Sequence, residues 1–162
     1  MLILPETIFR RIRERGEAAY PDECCGILIG SVAGAVKTAT NAIAVKNGST
    51  HPRNHYEIAP IDLIRAQRDA RVGGLEILGF YHSHPDHPAQ WSATDLAEAH
   101  WLGSSYVITA IEKGCATDTN SFHLAGILEE DKRFEEEEIR VIADPEFEFT
   151  LETEREREDD RP

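Results

Sequence analysis

Between Gly73-Gly74 and a proline-rich loop runs Leu75-Glu76-Ile77-Leu78-Gly79-Phe80-Tyr81-His82, and this nearly unbroken apolar stretch constrains the fold more than any other feature. Bounded by turn signals and too short for a core helix, it reads as a buried strand. The segments around it alternate between the two periodicities. Leu2–Leu4 reads as a short strand and Pro5–Tyr20 as a helix, with proline in the first turn and Ile8, Ile12 and Ala19 on one face. Cys24–Ile29 reads as a second buried strand, Val32–Val45 as its hairpin partner and Lys46–Asn54 as a loop. A helix is expected from Ile61 to Arg71, stopped by Gly73-Gly74, and another from Ser92 to Leu102. Ser104–Glu112 and Ser121–Leu128 read as strands joined by a turn around Gly114–Asn120. The expected class is α/β, a single-domain mixed sheet flanked by helices. At 162 residues the chain is long enough to bury roughly 68–70% of its unfolded surface, so it needs no disulfide or metal merely to fold.

Charge narrows the partners. Of the formal −13, residues 129–162 contribute −10 (16 acids, 6 bases) and residues 1–128 only −3 (14 acids, 11 bases). That balance argues against nucleic acid and against an anionic membrane surface. No apolar run approaches the roughly 18 residues of a spanning helix. Met1–Pro5 lacks a basic leader, and three cysteines, two of them adjacent, make no disulfide framework; a cytoplasmic location is expected. No dinucleotide or Walker-type glycine fingerprint occurs.

The chemistry is concentrated after the buried strand, in His82-Ser83-His84-Pro85 and Ser92-Ala93-Thr94-Asp95. Residues two apart on a strand share a face, so His82 and His84 project together. Asp95 lies one turn inside the next helix, where a short loop brings its carboxylate beside the imidazoles. Two nitrogens and one oxygen suit catalytic Zn²⁺ with its fourth position left for water, whose pKa falls to about 7. Taken alone, Ser92-x-x-Asp95 is equally a helix start, with Ser92 as N-cap and an acid near the positive end of the dipole. A deaminase would need His-x-Glu and a later Pro-Cys-x-x-Cys; here the position two after His84 is Asp86, and no Cys-x-x-Cys exists. His51 and His55 are separated by Pro52 and read as loop histidines; His87, His100 and His123 show no ligand spacing.

Together with the acid in Pro21-Asp22-Glu23-Cys24-Cys25-Gly26, this pattern resembles the JAMM/MPN+ metalloproteases, over about Leu2 to Leu128. The resemblance implies a cytidine-deaminase-like fold, one zinc ion per chain on His82, His84 and Asp95, Glu23 as general acid/base and Ser92 as oxyanion donor. It also implies cleavage after the C-terminal Gly-Gly of a ubiquitin-like or sulfur-carrier protein. Gly79–Pro88 resembles the compact prokaryotic branch most, and the short connections around Lys46–Asn54 and Gly114–Asn120 leave little room for ubiquitin-gripping loops. Two other readings stand beside it: a non-catalytic MPN-type binding module, and a zinc hydrolase of a small amide. The expected division is a metallopeptidase domain over 1–128 and an acidic extension over 129–162. In the extension, Ile139–Ile142 and Phe147–Leu151 alternate like edge strands and the last ten residues are expected to be disordered. Those strands suggest either self-association into a homodimer or a gate over the substrate channel. Trp101 is expected in the core and Trp91 beside the substrate groove. Cys24 and Cys25 are expected on opposite faces as small buried hydrophobes; a bridge from either to Cys115 stays open.

Overall fold

A computed structural model describes residues 1–145. Its elements are β1 (Leu2–Pro5), α1 (Glu6–Ala19), β2 (Cys25–Ala33), β3 (Val36–Val45), α2 (Pro60–Val72) and β4 (Glu76–Pro85). There follow α3 (Ala93–Glu98), β5 (Ser105–Glu112), β6 (Cys115–Ala125), β7 (Arg133–Glu137) and β8 (Ile139–Ile142). The eight strands form one mixed sheet in the order β7-β6-β5-β4-β2-β3-β1-β8. Its two outermost strands are consecutive in sequence, separated only by Glu138, whose carbonyl accepts the Leu2 amide at 2.8 Å. The sheet therefore curls until one continuous stretch of chain clasps both of its ends. α1 touches β1, β3, β4, β5, β6 and β8 and so fills the hollow of the curl.

Two apolar layers follow from this arrangement. Ile8 and Ile12 of α1 pack on Leu2, Leu4, Leu28, Leu78, Tyr81 and Val107 inside. On the other face Ala66 and Ala70 of α2 pack with Ile27, Ile29, Phe80 and Tyr106, and Trp101 joins them edge-on to Phe80 at 5.4 Å. Which face the end of β4 presents is decided by a bulge. Register with β2 jumps from Leu28↔Gly79 to Ile29↔Ile77, so Ile77 and Phe80 share a face although three residues apart. From Phe80 onward that phase carries His82 and His84 to the face of α2. Gly79 makes the bulge possible: its φ is 157° and an added Cβ would lie 1.8 Å from the Ser105 carbonyl oxygen.

The structure departs from the expected elements at three places. α3 stops at Glu98, not Leu102, because Ala99 is extended (φ −78°, ψ 114°). Lys132 Nζ there donates to the Ala97 and Ala99 carbonyls at 2.9 Å, taking acceptors the helix leaves open. β6 begins at Cys115, because Lys113 (φ 49°) and Gly114 (φ 85°) close a two-residue hairpin turn with both angles positive. Glu129–Glu138, largely exposed as its charge implies, nevertheless holds β7: Phe134 packs 5.1 Å from Tyr106, and the Glu137 carboxylate turns inward to Lys37 Nζ (3.4 Å) and Ser121 Oγ (2.8 Å). Ile139–Ile142 is an edge strand paired with β1. Phe147–Leu151 and the last ten residues lie outside the described residues. Cys24, Cys25 and Cys115 are free thiols, the first two packed on opposite faces and Cys115 exposed. No helix among the described residues is long and apolar enough to cross a membrane.

Candidate metal centre

β4 delivers both histidines at its buried end, where His82 is 1% and His84 8% exposed. Their Nε2 atoms lie 3.0 Å apart. The Asp95 carboxylate completes a triangle, Oδ1 at 3.3 Å from His82 Nε2 and Oδ2 at 3.4 Å from His84 Nε2. A tetrahedral ion bound at 2.0–2.1 Å sets its ligands about 3.3–3.4 Å apart; each histidine meets one Asp95 oxygen at that spacing, the two histidine nitrogens stand closer, and one donor atom from each residue lies within 4.8 Å of the other two. Among the described residues this is the one group of three or more His, Cys, Asp or Glu side chains close enough to hold a metal.

Each donor is oriented by its own device. His84 Nδ1 donates to the Pro88 carbonyl at 2.9 Å, which fixes the tautomer and leaves the Nε2 lone pair toward the cluster. His82 Nδ1 is buried with no hydrogen-bond partner; its ring is held by stacking on Tyr56, centroids 4.4 Å apart and planes at 26°. Asp95 sits in a full capping box: its amide donates to Ser92 Oγ at 3.1 Å and its Oδ2 accepts the Ser92 amide at 2.6 Å. Helix start and donor placement are thus one construction. Burial pushes the Asp95 carboxyl up, but the hydrogen bonds with His82, His84 and the Ser92 amide outweigh it and hold the group far below the usual carboxylate range. Burial likewise holds His82 below the ordinary histidine value, against the pull of Asp95.

Glu23 precedes β2 and is 6% exposed. Burial pushes its carboxyl up to about 8; the charge of His84 lowers it and that of Asp95 raises it, so Glu23 feels two of the three members of the cluster. Its backbone is gripped on both sides. The Glu23 amide donates to the Pro52 carbonyl at 2.6 Å, and its carbonyl accepts Asn47 Nδ2 at 3.1 Å. Asn47 also donates to the His55 carbonyl (3.0 Å) and accepts the Ser49 (2.9 Å) and Glu57 (3.1 Å) amides, so its amide group is fully used. Ser83, between the two histidines, accepts the Cys24 amide at 2.9 Å and ties β4 to the residue after Glu23.

Asn47, Tyr56 and Ser83 escaped the sequence reading, since a polar residue in a loop and a serine inside a strand carry no spacing signal of their own. Trp91 is 39% exposed and stands against Phe134, with ring centroids 5.7 Å apart. The remaining histidines serve local contacts. His55 bridges Ser49 Oγ (2.6 Å) and Glu98 (2.8 Å), His100 meets Glu129 at 3.0 Å, and His123 Nδ1 lies 3.3 Å from Lys37 Nζ.

Known proteins share this chain's family and fold. The family model for prokaryotic homologs of the JAB domain matches residues 5–125. The chain belongs to this family. A desampylase of Haloferax volcanii is 35% identical over 103 residues, covering 64% of this chain and 73% of that protein. A probable TtuB-protein conjugate cleaving protease of Thermus thermophilus is 29% identical over 101 residues, 62% of this chain and 65% of that protein. Among solved structures, a Desulfitobacterium hafniense protein superposes with a TM-score of 0.76 at 28% identity, covering 88% of this chain and 94% of that one. A JAB1/MPN domain protein of Archaeoglobus fulgidus shares the fold at a TM-score of 0.54 and 18% identity, covering 88% and 97%.

Proposed function

We propose that this chain is a zinc-dependent peptidase that hydrolyses the amide bond after the C-terminal Gly-Gly of a ubiquitin-like or sulfur-carrier protein. The observation that carries the reading is the convergence of His82, His84 and Asp95 donor atoms within reach of a single ion, with a buried acid whose carboxyl is pushed up to about 8 beside it. The names of the two relatives, a desampylase and a conjugate cleaving protease, support the substrate class. Zinc held by the three donors supplies Lewis acidity, acidifying water and polarising a carbonyl.

The protein's own groups complete the hydrolysis. Glu23, poised near neutral pH, takes the proton of the attacking water and returns it to the departing amine. Ser92 Oγ already accepts the Asp95 amide, which leaves its own O–H to donate to the oxygen that gains charge. The carbonyl carbon gains a C–O bond, the C–N bond breaks, and the carrier leaves as a carboxylate. Glycines before the cut suit an extended strand threading beside a sheet that closes near the site.

Metal content and turnover test this together. Purified wild type is expected to carry about one zinc ion per chain and His82→Ala none, with folding of both checked by circular dichroism. Wild type is expected to release the group attached to a Gly-Gly terminus, and a bulky residue in place of the last glycine to abolish release. Protein that takes up no zinc, or cuts both substrates equally, would sink the reading.

A further inference from the structure

Resting on the proposed zinc chemistry, we infer that Tyr56 is the positioning residue of His82, and that the strength of metal binding depends on its ring and not on its hydroxyl. A histidine that ligates a metal through one ring nitrogen usually donates the proton of the other to an acceptor, which fixes tautomer and orientation together. His84 follows that pattern, with Nδ1 on the Pro88 carbonyl at 2.9 Å. His82 departs from it. Its Nε2 is the atom turned to the cluster, 3.0 Å from His84 Nε2 and 3.3 Å from Asp95 Oδ1. The proton of the ligating form therefore sits on Nδ1, where no acceptor stands. Among the described residues, His82 Nδ1 is the only buried side-chain nitrogen or oxygen without a hydrogen-bond partner.

An aromatic face takes the place of the missing acceptor. Tyr56 stacks on His82 with centroids 4.4 Å apart and planes at 26°, while His84 meets the same imidazole at 4.8 Å and 60°. A near-parallel neighbour blocks rotation of the imidazole plane, which is the freedom a hydrogen bond would otherwise remove. It also acts on charge. An imidazole that gives its lone pair to a metal becomes electron-poor, and the negative face of a phenol ring favours that state over the free imidazole. Loss of the ring therefore weakens the metal-bound state more than the empty one.

The backbone on either side of Tyr56 is held by a single side chain. Asn47 Nδ2 donates at 3.0 Å to the His55 carbonyl, in the peptide that enters Tyr56. Asn47 Oδ1 accepts the Glu57 amide at 3.1 Å, in the peptide that leaves it. The His55 ring bridges Ser49 Oγ at 2.6 Å and Glu98 at 2.8 Å, and Glu98 is the last residue of α3, the helix that carries Asp95. The Tyr56 hydroxyl makes no hydrogen bond among the described residues. Tyr56 also lines a cavity of about 550 Å³ with Phe80, Trp101 and Tyr106, so a small replacement would leave His82 beside open space. The ring is what the surrounding bonds put in place.

The test is zinc affinity, read by competition with a chromogenic chelator on the full chain, for wild type, Tyr56→Phe and Tyr56→Leu. Tyr56→Phe keeps the ring and should bind zinc within about twofold of wild type, whereas Tyr56→Leu keeps apolar bulk without the ring and should bind it roughly 10–100-fold more weakly. Cobalt(II) in place of zinc gives a second readout, because its visible absorption reports ligand geometry. Tyr56→Phe should reproduce the wild-type spectrum and Tyr56→Leu should change it, an effect that loss of packing alone does not produce in protein that circular dichroism shows to be folded. Wild-type affinity and an unchanged cobalt spectrum in Tyr56→Leu overturn this inference alone. Should Tyr56→Leu fail to fold, Tyr56→Phe decides: loss of zinc there overturns the inference, and retention supports it. Wild type that binds no zinc overturns the metallopeptidase reading and this inference with it.

Discussion

Glu23 sits where burial and function pull in opposite directions. Its carboxyl is pushed up to about 8 in the folded chain against an ordinary 4.5, so between those values the folded state binds the proton and the unfolded state does not. Stability of the metal-free protein is therefore greatest at low pH on this account and falls as pH rises toward 8. Glu23→Gln keeps the shape and removes the titration. In urea melts of metal-free protein, wild type should lose roughly 3–5 kcal/mol relative to Glu23→Gln between pH 4.5 and 8. A difference that is flat with pH would show that Glu23 is solvated. The same variant should hold zinc normally yet lose activity by 10²–10⁴-fold, the range for a general acid/base.

At the scale of elements, the centre depends on a phase shift in β4. Without the bulge at Leu78–Gly79, strict alternation from Ile77 would send Phe80, His82 and His84 to the α1 side. Gly79→Ala is therefore expected to cost more than about 3 kcal/mol, since its Cβ meets backbone rather than a movable side chain. Gly34→Ala is the control: φ is also positive at 61°, but no atom lies within 4 Å, so about 1 kcal/mol is expected. Equal losses in denaturant melts would mean the bulge is not held by that contact. The succession of strands and helices along the chain was legible in the sequence because β4, β5 and the helices carry strong periodicity. His82, His84, Ser92 and Asp95 were legible because ligand chemistry and strand or helix spacing coincide there. The bulge was not, because glycine in an apolar strand carries no mark of its register. The early end of α3 was not either, because Lys132, which takes its open carbonyls, lies more than thirty residues downstream. Asn47 read only as loop for the same reason: its four bonds depend on where Glu23, Ser49, His55 and Glu57 come to rest.

For the molecule as a whole, the question is what keeps the curled sheet shut. β7 pairs with β6 and β8 with β1, so the stretch 133–142 bridges by backbone pairing the two ends of the sheet that α1 touches from within. Beneath it lies a charged cluster. Lys37 of β3 reaches Ser105 Oγ of β5 at 2.9 Å, His123 Nδ1 of β6 at 3.3 Å and Glu137 Oε1 of β7 at 3.4 Å. The side chains of Lys37 and Glu137 are 11% and 5% exposed. A pair this buried costs desolvation on forming, so its net contribution is small, but removing one partner strands the other charge. Glu137→Leu should therefore destabilise by about 3–5 kcal/mol, with Lys37 left uncompensated. Lys37→Met with Glu137→Leu should recover most of that loss, because two apolar groups then replace two charges and the Met1 ammonium, 3.6 Å from the same Glu137 oxygen, belongs to a residue whose side chain is 24% exposed. The coupling between the two changes, read from denaturant melts of the four proteins, should amount to at least about 2 kcal/mol. Additive losses would mean that Lys37 reaches solvent and that backbone pairing alone shuts the curl. Metal uptake separates the clasp from the centre: His82, His84 and Asp95 lie at the far end of β4 from this cluster, so each variant that still folds should retain its zinc.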